Sequence, residues 1–92
     1  MSNSYLVLYR PGPNWIPDLA LSDQPLADHL QYMVNLKADG VVRMGGPFED
    51  SSGGFGIVDV VSMDEVQELV DWDPGIRAGV LTADIVQWRE TP

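Results

Sequence analysis

The chain has no cysteine, a single histidine, and only five lysines and arginines among its 92 residues. Without cysteine there are neither disulfides nor thiolate metal sites to supplement the core. One histidine among dispersed carboxylates lacks the spacing of a metal-ligand set. Five basic residues against fourteen acidic ones give a formal charge of −9, which repels phosphate backbones and anionic membranes. No apolar run approaches the ~18 residues of a membrane span. The opening "MSNSYLVLYR" lacks the charged n-region and long h-region of a signal peptide. These absences leave a cytoplasmic protein with no nucleic-acid or membrane partner as the expectation. "GGFG" (Gly53–Gly56) is no phosphate loop, because no lysine follows it and no strand-to-helix passage surrounds it. No Ser-His-Asp or Cys-His motif is visible, and no cofactor is implied.

What is present is a folded domain. Apolar residues make up 45% of the chain, too many for intrinsic disorder, and 92 residues make one small domain of only marginal stability. "YLVLYR" (Tyr5–Arg10) reads as strand one, and "PGPNWIPD" after it as a loop. Helix one is expected to begin near "QPLADH", with Pro25 in its first turn and Ser22 or Asp23 as caps. Leu26, Leu30, Met33 and Val34 should form its buried stripe, opposite Asp28, Gln31, Asn35 and Asp39. Gly40 stands where a left-handed C-cap belongs. Val41–Pro47 and Phe55–Val61 read as strands two and three around the turn "EDSSGG".

Helix two has the sharpest start. Ser62 with Glu65 three residues later reads as a capping box, and Met63, Val66, Leu69 and Val70 supply its inward stripe. Val80–Arg89 is strand four. The order β-α-β-β-α-β predicts an α+β, ferredoxin-like four-stranded antiparallel sheet with both helices on one face. Strand one offers Tyr5, Val7 and Tyr9 to one side but Leu6 and Leu8 to the other, and strand three is apolar on both sides too. A sheet apolar on both faces must bury both, so a homodimer packed through the open sheet face is expected.

Two residues attract chemistry. His29 lies at the edge of the helix-one stripe. Asp73 follows Leu69 by four residues, and Pro74 stops the helix there, leaving the carboxylate at a frayed end beside the sheet. Both helices share one side of the sheet, so the two residues can approach. A carboxylate bonded to one ring nitrogen leaves the other as an acceptor, which makes a general base or acid. Each residue also has a plainer reading, His29 as a boundary residue and Asp73 as a turn initiator.

"DHLQYMVNLKADGVVRMGGP" followed by "FGIVDVVSMDEVQELVDWDPGIRAGV" resembles the YCII-related (YciI-like) family. The matching features are His29-Leu30 in helix one, Gly40 ending it, Gly46-Pro47 ending strand two, Asp73-Pro74 after helix two, and Ala78-Gly79-Val80. The resemblance covers Tyr5 to about Trp88, a single domain within 1–92, and implies a dimeric ferredoxin-like fold, an α+β barrel-like assembly of two chains. It also implies that His29 and Asp73 form an active-site pair in a cleft. One relative acts as a dehydrochlorinase on a chlorinated muconolactone, and the fold looks like that of muconolactone isomerases. Two departures concern the cleft: Gly75 stands where members often carry an aromatic residue, and "PGPNWIPDLALSD" is particular to this chain.

The expected function is therefore a cofactor-free lyase- or isomerase-type enzyme on a small carbonyl or lactone substrate. His29 would move the proton and Asp73 would orient the ring. Amides around Gly45–Gly46 would receive developing negative charge, Pro47 would line the substrate site beside them, and Arg43 or Arg10 would hold a substrate carboxylate. The opposing reading is a non-catalytic dimeric module for small-molecule binding or interaction; a cofactor-free monooxygenase is a third, with no residue of its own to support it.

Overall fold

The computed structural model describes residues 2–91. Its elements are β1 (Asn3–Pro11), a 3-10 turn at Leu21–Asp23, α1 (Ala27–Ala38), β2 (Val42–Pro47), β3 (Gly54–Val60), α2 (Met63–Trp72), α3 (Pro74–Arg77) and β4 (Leu81–Trp88). The sheet order is β2-β3-β1-β4 with every neighbouring pair antiparallel, the ferredoxin-like arrangement. Register follows side-chain parity. Tyr5 pairs with Val58, Val7 with Gly56 and Tyr9 with Gly54, so all six residues lie on the helix-covered face.

The core forms where that face meets α2. Tyr5, Val7, Val58 and Val60 are buried beneath Val66 and Val70. Each fully buried valine contributes roughly 1.5–3 kcal/mol, a large share of the stability of so small a domain. Met63, expected in this stripe, stands at the first position of α2 and is 42% exposed. The capping box forms with a shift of one residue. Ser62 Oγ accepts from the Glu65 amide at 3.3 Å, and Glu65 Oε2 accepts from the amide of Val61 at 2.7 Å.

The departures from expectation lie mostly on α1. Its C-terminus is as read: Gly40 adopts φ +78°, and the amides of Gly40 and Val41 bond the carbonyls of Lys37 and Leu36, a Schellman closure. Its start differs. Ser22 and Asp23 lie in the preceding 3-10 turn, and Leu26 occupies the N-cap without a side-chain bond. Gln24 explains this by organising the long connection itself. It accepts from the Ile16 amide at 3.0 Å and donates to the carbonyls of Ile16 and Leu19 at 2.8 and 2.9 Å. The connection is also tied to the turn before β4 through Gly12, whose amide donates to Val80 O, and Asn14, bonded to Gly79 and Ala78.

The buried stripe of α1 is rotated from the expected one. Met33 and Leu36 pack on the core, but Leu30 and Val34 are 62% and 59% exposed. The sheet supplies the reason. Beneath that end of α1 the helix-side positions of β2 and β3 are Gly45, Gly54 and Gly56, which offer no side chain to pack against. A glycine floor under an apolar helix leaves a hollow.

Candidate functional site

That hollow is a cleft of about 690 Å3, within the ~300–1,000 Å3 range of small-molecule sites. Leu30, Met33 and Val34 of α1 form one wall, the β2–β3 end forms the floor, and Leu21 and Leu26 of the long connection close one side. His29 lines it and Asp73 stands behind His29.

Asp73 is held by local backbone chemistry. Pro74 cannot continue α2, so Asp73 turns extended (φ −63°, ψ 123°) and caps two helices at once, closing α2 and opening the short α3. The frayed end expected at this point is therefore replaced by a second helix. Asp73 Oδ1 accepts from the Gly75 amide at 2.8 Å, and the side chain is 1% exposed rather than at the surface. Both of its oxygens lie 2.8 Å from His29 Nδ1. The histidine and the aspartate, 44 residues apart in sequence, are thus in direct contact. The carboxylate takes Nδ1–H, which leaves the lone pair on Nε2. His29 is 11% exposed. Nε2 makes no hydrogen bond among the described residues, and it is not one of the sealed-off polar atoms.

The position of Gly75 gives a physical account of its departure from the aromatic often found there. A Cβ on Gly75 would lie 3.1 Å from His29 Cβ and 3.2 Å from Leu81 Cδ1. Any side chain at 75 would press on the imidazole. Tyr9 meets the His29 ring edge-on, with centroids 5.2 Å apart at 71°. The Tyr9 hydroxyl donates to Met33 Sδ at 3.6 Å, while Tyr32 donates to the Leu69 carbonyl at 2.6 Å. Burial, then the charge of Asp73, pushes both phenols above their ordinary value. Tyr9 and Met33 were missed in the sequence as site residues. The signal was the parity of β1, which sends Tyr9 to the same face as His29.

Of the other expected site residues, Gly45, Gly46 and Pro47 line the cleft. Their amides do not act as a set. The Phe48 amide bonds Gly53 O and the Asp59 amide bonds Val41 O. By the alternation of an antiparallel ladder, Gly46 is then a bonded partner of Phe55, while Gly45 directs its amide off the free edge of β2. Pro47 has no N–H and sits at the outward-facing position where none is needed. Arg43 is not in the cleft. It lies on the opposite face of the sheet, where Nε and Nη2 bind both carboxylate oxygens of Asp59 at 2.9 and 2.7 Å and the guanidinium covers Trp88. A β-bulge between Val42 and Met44 places it there. Arg10 is likewise occupied elsewhere, beside Asp84 at 3.6 Å. Among the described residues no group of three or more His, Asp or Glu side chains is placed to hold a metal ion, and no helix is long and apolar enough to cross a membrane.

The sequence profile of the YCII-related domain matches residues 4–89. The chain belongs to the YCII-related family. Among curated relatives it is similar to the uncharacterised protein YjpA of Bacillus subtilis (strain 168), 28% identical over 68 residues, covering 74% of this chain and 80% of YjpA. Among solved structures it is similar to 5-chloro-2-hydroxyhydroquinone dehydrochlorinase (TftG) of Burkholderia phenoliruptrix AC1100 in complex with 2,5-dihydroxybenzoquinone. That match is 28% identical with a TM-score of 0.73, and it covers 96% of this chain and 95% of the other. A YCII-family neighbour of the same fold is thus a lyase-type enzyme acting on a chlorinated ring.

Proposed function

We propose that this protein is a cofactor-free lyase- or isomerase-type enzyme that moves a proton on a small cyclic carbonyl compound, with His29 as the base and Asp73 as its orienting partner. One observation carries the reading. The imidazole is clamped through Nδ1 by a buried carboxylate, and its remaining nitrogen is left without a protein partner at the wall of an apolar cleft. A histidine serving only to pack would be expected to satisfy both nitrogens or to turn one to open water. Here the residue that carries the second nitrogen lines a space of substrate size. Nε2 would take the proton next to the carbonyl, and the Asp73 charge would oppose the positive charge arriving on the ring. The similarity to the dehydrochlorinase supports an elimination in which an adjacent halide departs. The test is chloride release from 5-chloro-2-hydroxyhydroquinone by the wild type and by His29→Ala. A loss of at least about a hundredfold in the variant supports the role. Binding in the cleft without turnover of this substrate or of a lactone panel would establish the non-catalytic module instead.

We also infer that the working unit is a homodimer joined through the open sheet face. Leu6, Leu8 and Ile57 stand on that face with Met44 and Val86, which are 53% and 49% exposed. Ion pairs lie toward its two ends, Arg43–Asp59 and Arg10–Asp84. An apolar centre with a charged rim has the anatomy of a protein interface. Trp88, whose Nε1 is sealed off without a partner, belongs to the same face.

A further inference from the structure

We propose that Tyr9 is a second reacting group of the cleft, its hydroxyl donating a hydrogen bond to the substrate's carbonyl oxygen while His29 removes the neighbouring proton. This inference rests on the reading of His29 as the base, and it adds the group that receives the charge.

Three observations converge on Tyr9. Its ring touches the imidazole edge-on, so a molecule within reach of His29 is close to the tyrosine as well. Tyr9, His29 and Met33 share the cleft wall. Among the described residues the sole partner of the Tyr9 hydroxyl is the thioether of Met33 at 3.6 Å, and sulfur is a weak acceptor. A buried hydroxyl ordinarily finds an oxygen partner, as Tyr32 does with the Leu69 carbonyl. Tyr32 is committed to holding α1 against α2. Tyr9 holds a bond that rotation of its hydroxyl hydrogen can exchange for a stronger one. A carbonyl oxygen gaining negative charge is such an acceptor, since bonds to charged oxygen are roughly twice as strong as neutral ones. The Gly46 amide does not compete for the task, because it is engaged in the ladder.

The step balances without a co-reactant. The C–H bond next to the carbonyl breaks, and the proton bonds to His29 Nε2. The C–H electron pair becomes a carbon–carbon double bond, and the carbonyl π pair moves onto oxygen. Tyr9 keeps its own proton and stabilises that oxygen. Collapse of the enolate then expels an anion from the next carbon and leaves the proton on His29 for release to solvent. Alternatively, His29 returns the proton at a different carbon and an isomer results. For this role the phenol must stay protonated, and both its burial and the nearby Asp73 charge hold it so.

The probe is 2,5-dihydroxybenzoquinone, the compound bound in the dehydrochlorinase structure. It is titrated into wild type, Tyr9→Phe and Met33→Leu while its visible band and the His29 ring resonances are followed. Tyr9→Phe keeps the ring contact and is expected to weaken binding about three- to tenfold, the worth of one hydrogen bond, and to abolish the shift of the probe's band. Met33→Leu removes the competing sulfur at nearly constant volume, so the freed Tyr9 hydroxyl should bind the probe more tightly than in the wild type, and weaker binding by this variant would count against the exchange of partners. A probe that perturbs the His29 resonances yet binds Tyr9→Phe with wild-type affinity and wild-type band shift overturns the role of Tyr9 alone. Failure of the wild type to bind the probe at the His29 cleft overturns the cyclic-carbonyl reading, and the role of Tyr9 with it.

Discussion

Replacing Asp73 by Asn tests the centre of the site with the smallest change of shape. Asp73 makes two kinds of bond, capping α3 through the Gly75 amide and clamping His29 Nδ1 with both oxygens. Asparagine keeps an oxygen for the Gly75 amide, so the cap survives. Its amide nitrogen then faces Nδ1 as a donor, and two donors cannot share that 2.8 Å contact. Oδ1 still lies 2.8 Å from Nδ1, but the new amide N–H points at the same ring nitrogen, and the imidazole is expected to change tautomer, placing its hydrogen on Nε2 and its lone pair on Nδ1. Stability should fall by only about 1 kcal/mol, the difference between a charge-assisted and a neutral hydrogen bond. In a domain of this size that is on the order of 4–8 °C in melting temperature. Proton transfer should fall far more, by roughly 10²–10⁴-fold, because the base has lost its lone pair on the cleft side. Nitrogen-15 chemical shifts of the ring report the tautomer directly, and urea titration reports stability. A variant that keeps the hydrogen on Nδ1, or that changes tautomer and retains full activity, would refute the reasoning.

Gly75→Ala introduces a Cβ about 3.1 Å from His29 Cβ and 3.2 Å from Leu81 Cδ1; it should cost about 1–3 kcal/mol in urea unfolding as a small overpacking and shift the His29 ring resonances, and an unmoved ring would contradict the tight fit. Asp59 is held below the usual aspartate range by its hydrogen bonds to Arg43. A lowered carboxyl contributes stability above the unfolded aspartate value of about 3.9 and loses it as pH falls through the folded value. The urea midpoints of wild type and Asp59→Asn should therefore differ at pH 7 and converge in acid, and a constant gap down to pH 2 would exclude this linkage. Val86→Lys places a charge on the open sheet face, so sedimentation should show wild-type dimers and monomeric variant at micromolar concentration; a monomeric wild type would remove the basis for the two-faced sheet.

Much of this protein was legible in its residues because the signals are local. Continuous β-prone runs marked the strands, Ser62 and Glu65 marked the start of α2, and Gly40 marked the end of α1. Pro74 located the carboxylate at the end of a helix. Even the contact between His29 and Asp73 was foreshadowed, since two helices on one sheet face must lie side by side. Some signals were misread for equally local reasons. The capping propensity of Ser22 and Asp23 yielded to the bonds of Gln24 across the long connection, and the α3 turn was hidden because Asp-Pro reads equally well as a helix end and a helix start.

By itself the sequence determined which elements form, in what order, and which faces of them are apolar, because propensity, capping and periodicity act between residues a few positions apart. Only the tertiary structure decided where the cleft lies and what lines it. Leu30 and Val34 look like core from their spacing. They became cleft walls because strand pairing set three glycines beneath them. Arg43 looks like a ligand anchor, and a one-residue bulge sent it to the other face of the sheet. Register across strands depends on pairings dozens of residues apart, and a shift of one position inverts which side a residue serves.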